Sequence, residues 1–116
     1  METQLNSVTL RGIIGSVRTQ DVQGHKMAHF TVATNYAYKL ASGEACIETT
    51  WSSVVFWGKA DSKVIDQIQK GQSVEVTGRI RTQRYTAADG SERSTTEILA
   101  RDVRIIEGHL LMESAL

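Results

Sequence analysis

Between Val8 and Ile106 five stretches patterned like β-strands are interrupted by a single stretch patterned like a helix, which falls between the third and fourth. Val8 to Val17 alternates apolar and polar residues, with Gly12 and Gly15 marking a bulge or a sharp bend. A turn over Thr19 to Gly24 leads to a second strand, Met27 to Asn35, and a polar loop over Lys39 to Glu48 leads to a third, Thr49 to Trp57. The spacing then predicts a helix of about ten residues, with Asp61 as its N-terminal cap, Val64, Ile65 and Ile68 as its apolar stripe, and Gly71 at its left-handed end. Ser73 to Tyr85 alternates strictly, placing Val74, Val76, Gly78 and Ile80 on one side and Glu75, Thr77, Arg79 and Arg81 on the other. Ala88-Asp89-Gly90-Ser91 reads as a hairpin turn in which Asp-Gly supplies positive φ angles. The fifth strand runs from Thr95 to Ile106.

With 116 residues the chain has room for one domain. A hydrophobic share of 41% and a charged share of 22% exclude wholesale disorder. Cys46 is the single cysteine, which excludes an intrachain disulfide framework. Proline is absent, so glycine and polar residues must make the turns. No apolar run is long enough to span a membrane as a helix, and Met1 to Leu10 lacks the basic start and apolar stretch of a signal peptide. These features lead us to expect a soluble, cytoplasmic chain. Long strands with bending glycines and one helix between strands 3 and 4 are the layout of an all-β OB-fold, a five-stranded Greek-key barrel.

The third strand has too much apolar surface for one barrel wall. Its odd positions carry Trp51, Val55 and Trp57 while its even positions carry Val54 and Phe56, and a small barrel has only one inside. The surplus face is either an oligomer or helix contact, or a platform on which planar ligands stack. Tyr38 at the end of the second strand and Tyr85 at the end of the fourth favour the platform. Tyr85 shares its parity with Arg79 and Arg81 and neighbours Arg84. Aromatics interleaved with arginines suit a single-stranded nucleic acid, whose bases stack on rings while cations follow its phosphates. Net charge is uninformative, since 13 Lys and Arg balance 13 Asp and Glu. Other chemistry finds no support. His25 and His29 lack a third metal ligand, Cys46 in the polar loop has no activating neighbour, and nothing forms a catalytic constellation. We therefore expect no enzyme activity, no metal and no cofactor.

Several segments taken together resemble the bacterial single-stranded DNA-binding protein (SSB) family over roughly residues 5 to 106. They are Asn6-Ser7-Val8-Thr9-Leu10-Arg11-Gly12, Phe30-Thr31-Val32-Ala33-Thr34, Thr50-Trp51-Ser52-Ser53-Val54-Val55-Phe56-Trp57-Gly58-Lys59, Val76-Thr77-Gly78-Arg79-Ile80-Arg81-Thr82 and Asp89-Gly90 followed by Thr95-Thr96-Glu97-Ile98. The resemblance implies non-enzymatic, sequence-tolerant protection of single-stranded DNA in replication, recombination and repair, in the cytoplasm with the nucleoid. It implies stacking by Trp51, Trp57, Tyr85 and Tyr38, the last across a loop about one residue shorter than usual, and phosphate contacts by Lys59 and Arg84. Parity adds Arg79, Arg81 and Arg11 to the phosphate set. The resemblance also implies self-association, as a homotetramer or, because Ser52 stands where many members carry a histidine, a dimer. We expect an OB-fold domain over residues 1–108 and a short tail over 109–116, without the family's long acidic tail that recruits other enzymes. The alternative is an OB-fold adaptor of a primosome or replication complex, using the aromatic face to bind protein.

Overall fold

The computed structural model describes residues 1–59 and 63–115, the side chain of Lys59 excepted. Strands β1 (Val8–Val22), β2 (His25–Lys39), β3 (Ala45–Lys59), β4 (Ser73–Thr86) and β5 (Glu92–Ile106) are joined by one helix, α1 (Lys63–Gln67), between β3 and β4. A two-residue strand, β6 (Glu113–Ser114), follows. Neighbours run β1-β4-β5-β3-β2, and β2 pairs again with β1, so the sheet closes into a five-stranded barrel with β6 added outside β2. The OB-fold read from the strand order is the fold observed. No helix among the described residues is long and apolar enough to cross a membrane.

Closure depends on β1 pairing with two different strands. Val8 to Ile13 pair with β4, and Ile13 to Val22 pair with β2. Between Ile14 and Val17 the ladder slips by one residue, and this bulge bends the strand from one neighbour to the other. Gly12 sits at the crossing, where a Cβ would land on the backbone carbonyl of Ala33. Inside the barrel, Ile14, Phe30, Val32, Val54, Val74 and Val76 are fully buried, and Ile65 and Ile68 seal one end. Even-numbered residues of β2, β3 and the first half of β4 point inward, which leaves the odd-numbered face of β3 outside.

Local structure departs from the sequence reading in several places. Among the described residues the helix covers Lys63–Gln67 and stops short of Gly71, because Gln72 folds back to accept from the Gln69 amide at 2.7 Å and donate to the Gln67 carbonyl at 2.8 Å. Gly71 keeps the positive φ of 90° but ties to β1 instead, its amide donating to Ile14 O at 2.8 Å; the Asp61 cap lies outside the described residues. The Thr19–Gly24 turn contracts to Gln23-Gly24, both at positive φ. The polar loop contracts to 40–44, since β2 and β3 continue as a ribbon in unbroken register to Lys39↔Ala45. Cys46 therefore lies in β3, opposite Tyr38. At the β4–β5 turn only Gly90 has positive φ, while Asp89 accepts from the amide and hydroxyl of Ser91. Ile80 is exposed, because the β1 ladder that covers β4 ends at Val8↔Gly78; Asn6 clasps its backbone at 2.9 and 2.7 Å. Finally, β6 draws the expected tail back onto the barrel by pairing with Tyr36 and Ala37.

Across β1, β4 and β5, Glu75 bridges Arg11 at 2.6 Å and Arg104 at 3.3 Å. The Arg11 hydrogen bond, with the charge of Arg104, holds the Glu75 carboxyl below its ordinary pKa. The folded protein thus binds that proton more weakly than the unfolded chain. The resulting stabilisation is complete above the unfolded value and vanishes as pH falls through the lower folded value. Urea denaturation at stepped pH should show Glu75→Gln less stable than wild type at neutrality, with a flatter decline below the normal glutamate range. Phe30→Ala should cost about 3–5 kcal/mol in the same assay, as expected for a sealed aromatic.

Candidate nucleic-acid interface

Alternation along β3 puts Trp51, Val55 and Trp57 on the outside of the barrel. Val55 is covered by its neighbours, but Trp51 is 61% and Trp57 45% exposed. The two rings stand six residues apart on one strand, about 20 Å. Trp57 lies in a groove of about 710 Å³ whose walls come from four further strands. Met27 and His29 come from β2, Arg81, Gln83, Arg84 and Tyr85 from β4, and Thr95 and Glu97 from β5. Arg18 comes from β1. Tyr85 is 49% exposed, so this groove offers two accessible rings and several cations together.

Arg18 is absent from the sequence analysis, and His29 enters it only as a metal ligand set aside. Before the bulge the odd residues of β1 face out, but after it the even ones do, because Arg18 pairs with His29 and Val17 with Phe30. Continuing around the barrel, His29 pairs with Val55, Val55 with Leu99 and Leu99 with Arg79. One lateral row therefore runs from Arg18 to Arg79 across all five barrel strands. The glycines announced the bulge; the parity change that re-aims Arg18 needed the register.

Other expected residues lie elsewhere or are engaged. Among the described residues, Arg18, Arg79 and Arg84 pair with no carboxylate. Arg11 is held by Glu75 on the opposite half of the sheet, away from the groove. Arg81 is in the groove, but its Nη2 donates to Glu97 Oε1 at 2.6 Å and its Nε is buried without a partner among the described residues. Lys59 is the last residue of β3. Tyr38 is half-buried, and its even position puts it on the opposite face of the β2–β3 ribbon from Trp51 and Trp57. Tyr36, exposed on Tyr38's side, is an aromatic the sequence reading passed over. Among the described residues no cluster of acidic, histidine and cysteine side chains could hold a metal.

Trp51 is positioned by a glycine. A Cβ on Gly15 would strike the Trp51 ring and the Thr31 hydroxyl, so the indole's six-membered ring packs against the bulge. Gly15→Ala should tip this ring and shift its emission, read in a Trp57→Phe background, because a side chain can move aside. Gly12→Ala meets backbone instead and should destabilise the fold by about 1–3 kcal/mol in urea denaturation.

Comparison with known proteins bears on this outer face. The family described as the single-strand binding protein family matches residues 5–106. Single-stranded DNA-binding protein B of Bacillus subtilis is 38% identical over 84 residues, covering 72% of this chain and 73% of that protein. The mitochondrial single-stranded DNA-binding protein of Drosophila melanogaster is 32% identical over 105 residues, covering 89% of this chain and 72% of that protein. Among solved structures, the SSB of Plasmodium falciparum in complex with single-stranded DNA superposes with a TM-score of 0.79 at 26% identity, covering 92% of this chain and 99% of that one. With the barrel, its outward aromatics and this match over most of its length, the chain belongs to the single-strand binding protein family.

Proposed function

We propose that the chain binds single-stranded DNA without sequence preference by laying bases on Trp57, Tyr85 and Trp51 while Arg18, Arg79 and Arg84 neutralise phosphates. The observation that carries this reading is the convergence of Trp57 and Tyr85 with Arg84 and Arg18 in one open groove on the outside of the barrel. Each ring offers a flat apolar face to any base, which makes the binding tolerant of sequence. The unpaired arginines are the cations available to the phosphates: Arg18 and Arg79 end the lateral row, and Arg84 borders Tyr85. Tyr38, on the other face of the ribbon, would meet a strand that wraps around the β2–β3 tip. Lys59, at the end of β3, would add a further cation. Protection of exposed strands during replication, recombination and repair follows from such binding, and it requires no chemistry beyond it.

Self-association belongs to the same proposal. The first half of β1, Val8 to Gly12, pairs with β4 on one edge, and among the described residues its other edge carries no ladder partner. An open edge beside exposed Ile13 and Tyr36 is a surface on which a second copy can pair. Light scattering with and without a long thymidine oligomer should report a dimer or tetramer, and a monomer at micromolar concentration would remove this part.

Titration with oligo-dT should quench tryptophan emission. Trp57→Ala and Tyr85→Ala should each weaken binding by about 1–3 kcal/mol. Three or four phosphates neutralised per subunit, at about −0.7 each, put the slope of log affinity against log salt near −2 to −3. Unquenched emission at saturating DNA, with no loss in either variant, would exclude the groove as the binding surface.

A further inference from the structure

Among the residues lining the groove, Glu97 is the one carboxylate, and its charge repels a polyanion. It is only 8% exposed, the single buried charged residue of the described chain. It lies on β5 directly opposite Arg81 on β4. Its Oε1 accepts from Arg81 Nη2 at 2.6 Å, while Arg81 retains about a quarter of its side-chain exposure, 28%. The pair therefore forms the groove floor, flanked by Trp57 and Tyr85. Toward a bound strand Glu97 would act in two ways: it holds the Arg81 guanidinium to itself, and it sets a carboxylate charge at a partly dry surface, where salt screens least.

We propose that Glu97 is a brake on DNA affinity: it sequesters Arg81 and opposes the approaching phosphates, so that the strand is held reversibly. The brake rests on the single-stranded DNA reading above. It also explains why a groove containing Arg81 presents fewer usable cations than its composition indicates. A carboxylate needed only to pin β4 to β5 would do the same work on a dry part of the barrel; here it stands on the floor that bases cross. Removing its charge while keeping its shape should thus strengthen binding, the opposite of what loss of a contact residue does. Glu97→Gln keeps the side chain's shape, which preserves the floor, while its neutral oxygen holds Arg81 less tightly than the carboxylate does.

The test is a fluorescence titration of the full chain with a long thymidine oligomer over a salt series, with urea denaturation as the control for folding. Glu97→Gln should bind about three- to ten-fold tighter at about 0.1 M salt, and its salt slope should steepen by about 0.7 as Arg81 becomes available. Arg81→Gln should bind more weakly than wild type with the slope unchanged, since Arg81 touches no phosphate while Glu97 holds it. The double variant should lie between the two singles, their effects failing to add. The brake is overturned if Glu97→Gln binds no tighter than wild type while unfolding at the wild-type urea midpoint. It is equally overturned if Arg81→Gln flattens the slope by about 0.7, which would make Arg81 a phosphate contact. That second measurement decides the matter even where the Glu97 variant folds poorly. Failure of wild type itself to bind DNA would strike the underlying reading instead.

Discussion

A β-strand has two hydrogen-bonding edges, and a five-stranded sheet closes on itself only if one strand serves neighbours that lie far apart. Here that strand is β1, which pairs first with β4 and then with β2. The switch needs a bend, the bend needs a bulge, and the bulge needs residues small enough for strands to cross. Gly12 meets the Ala33 carbonyl and Gly15 meets the Trp51 ring. Closure and the interface are therefore coupled at a few residues. The bulge that shuts the barrel also seats one outward indole and turns Arg18 toward the groove.

The interface has a division of labour among its arginines that their number alone conceals. Arg11 and Arg104 share Glu75 and clamp three strands on one part of the barrel. Arg93 reaches Asp89 at 3.4 Å beside the hairpin turn, an exposed pair that contributes little to stability. Arg81 faces Glu97 on the groove floor. What remains without a carboxylate among the described residues includes Arg18 and Arg84, which line the groove with Trp57 and Tyr85, and Arg79 at the end of the lateral row. A chain of zero formal charge thus presents a cationic course on one face, because Glu97 is the one carboxylate among the residues lining the groove.

The same bookkeeping of partners separates the two sides of the β2–β3 ribbon. Unbroken register from His25↔Lys59 to Lys39↔Ala45 keeps parity fixed along the ribbon, so Trp51 and Trp57 share one face while Tyr36 and Tyr38 share the other. Trp51, Trp57 and Tyr38, which look like one set in the sequence, fall on two faces in space. Trp57 and Tyr85 instead come together across strands distant in sequence, because β5 lies between β3 and β4 in the sheet.

The order of strands, the position of the helix, the inward residues Val54, Val74 and Val76, and the outward parity of Trp51 and Trp57 were all legible in the sequence. Each follows from alternation, which is a local property of an extended chain. The residues Gly12 and Gly15 even marked where β1 would bend. What local pattern did not contain was the consequence of pairing. A one-residue slip reverses every later side chain, so Arg18 joined the groove only once β1 met β2. Ile80 kept the alternation of a core residue but lost its cover where β4 runs past the end of its ladder with β1. The helix stops sooner than its pattern indicated because the ending made by Gln72 is a side-chain hydrogen bond, invisible to apolar spacing. Whether an arginine faces a phosphate or a glutamate likewise depends on which strands become neighbours, and that is decided by the closed sheet.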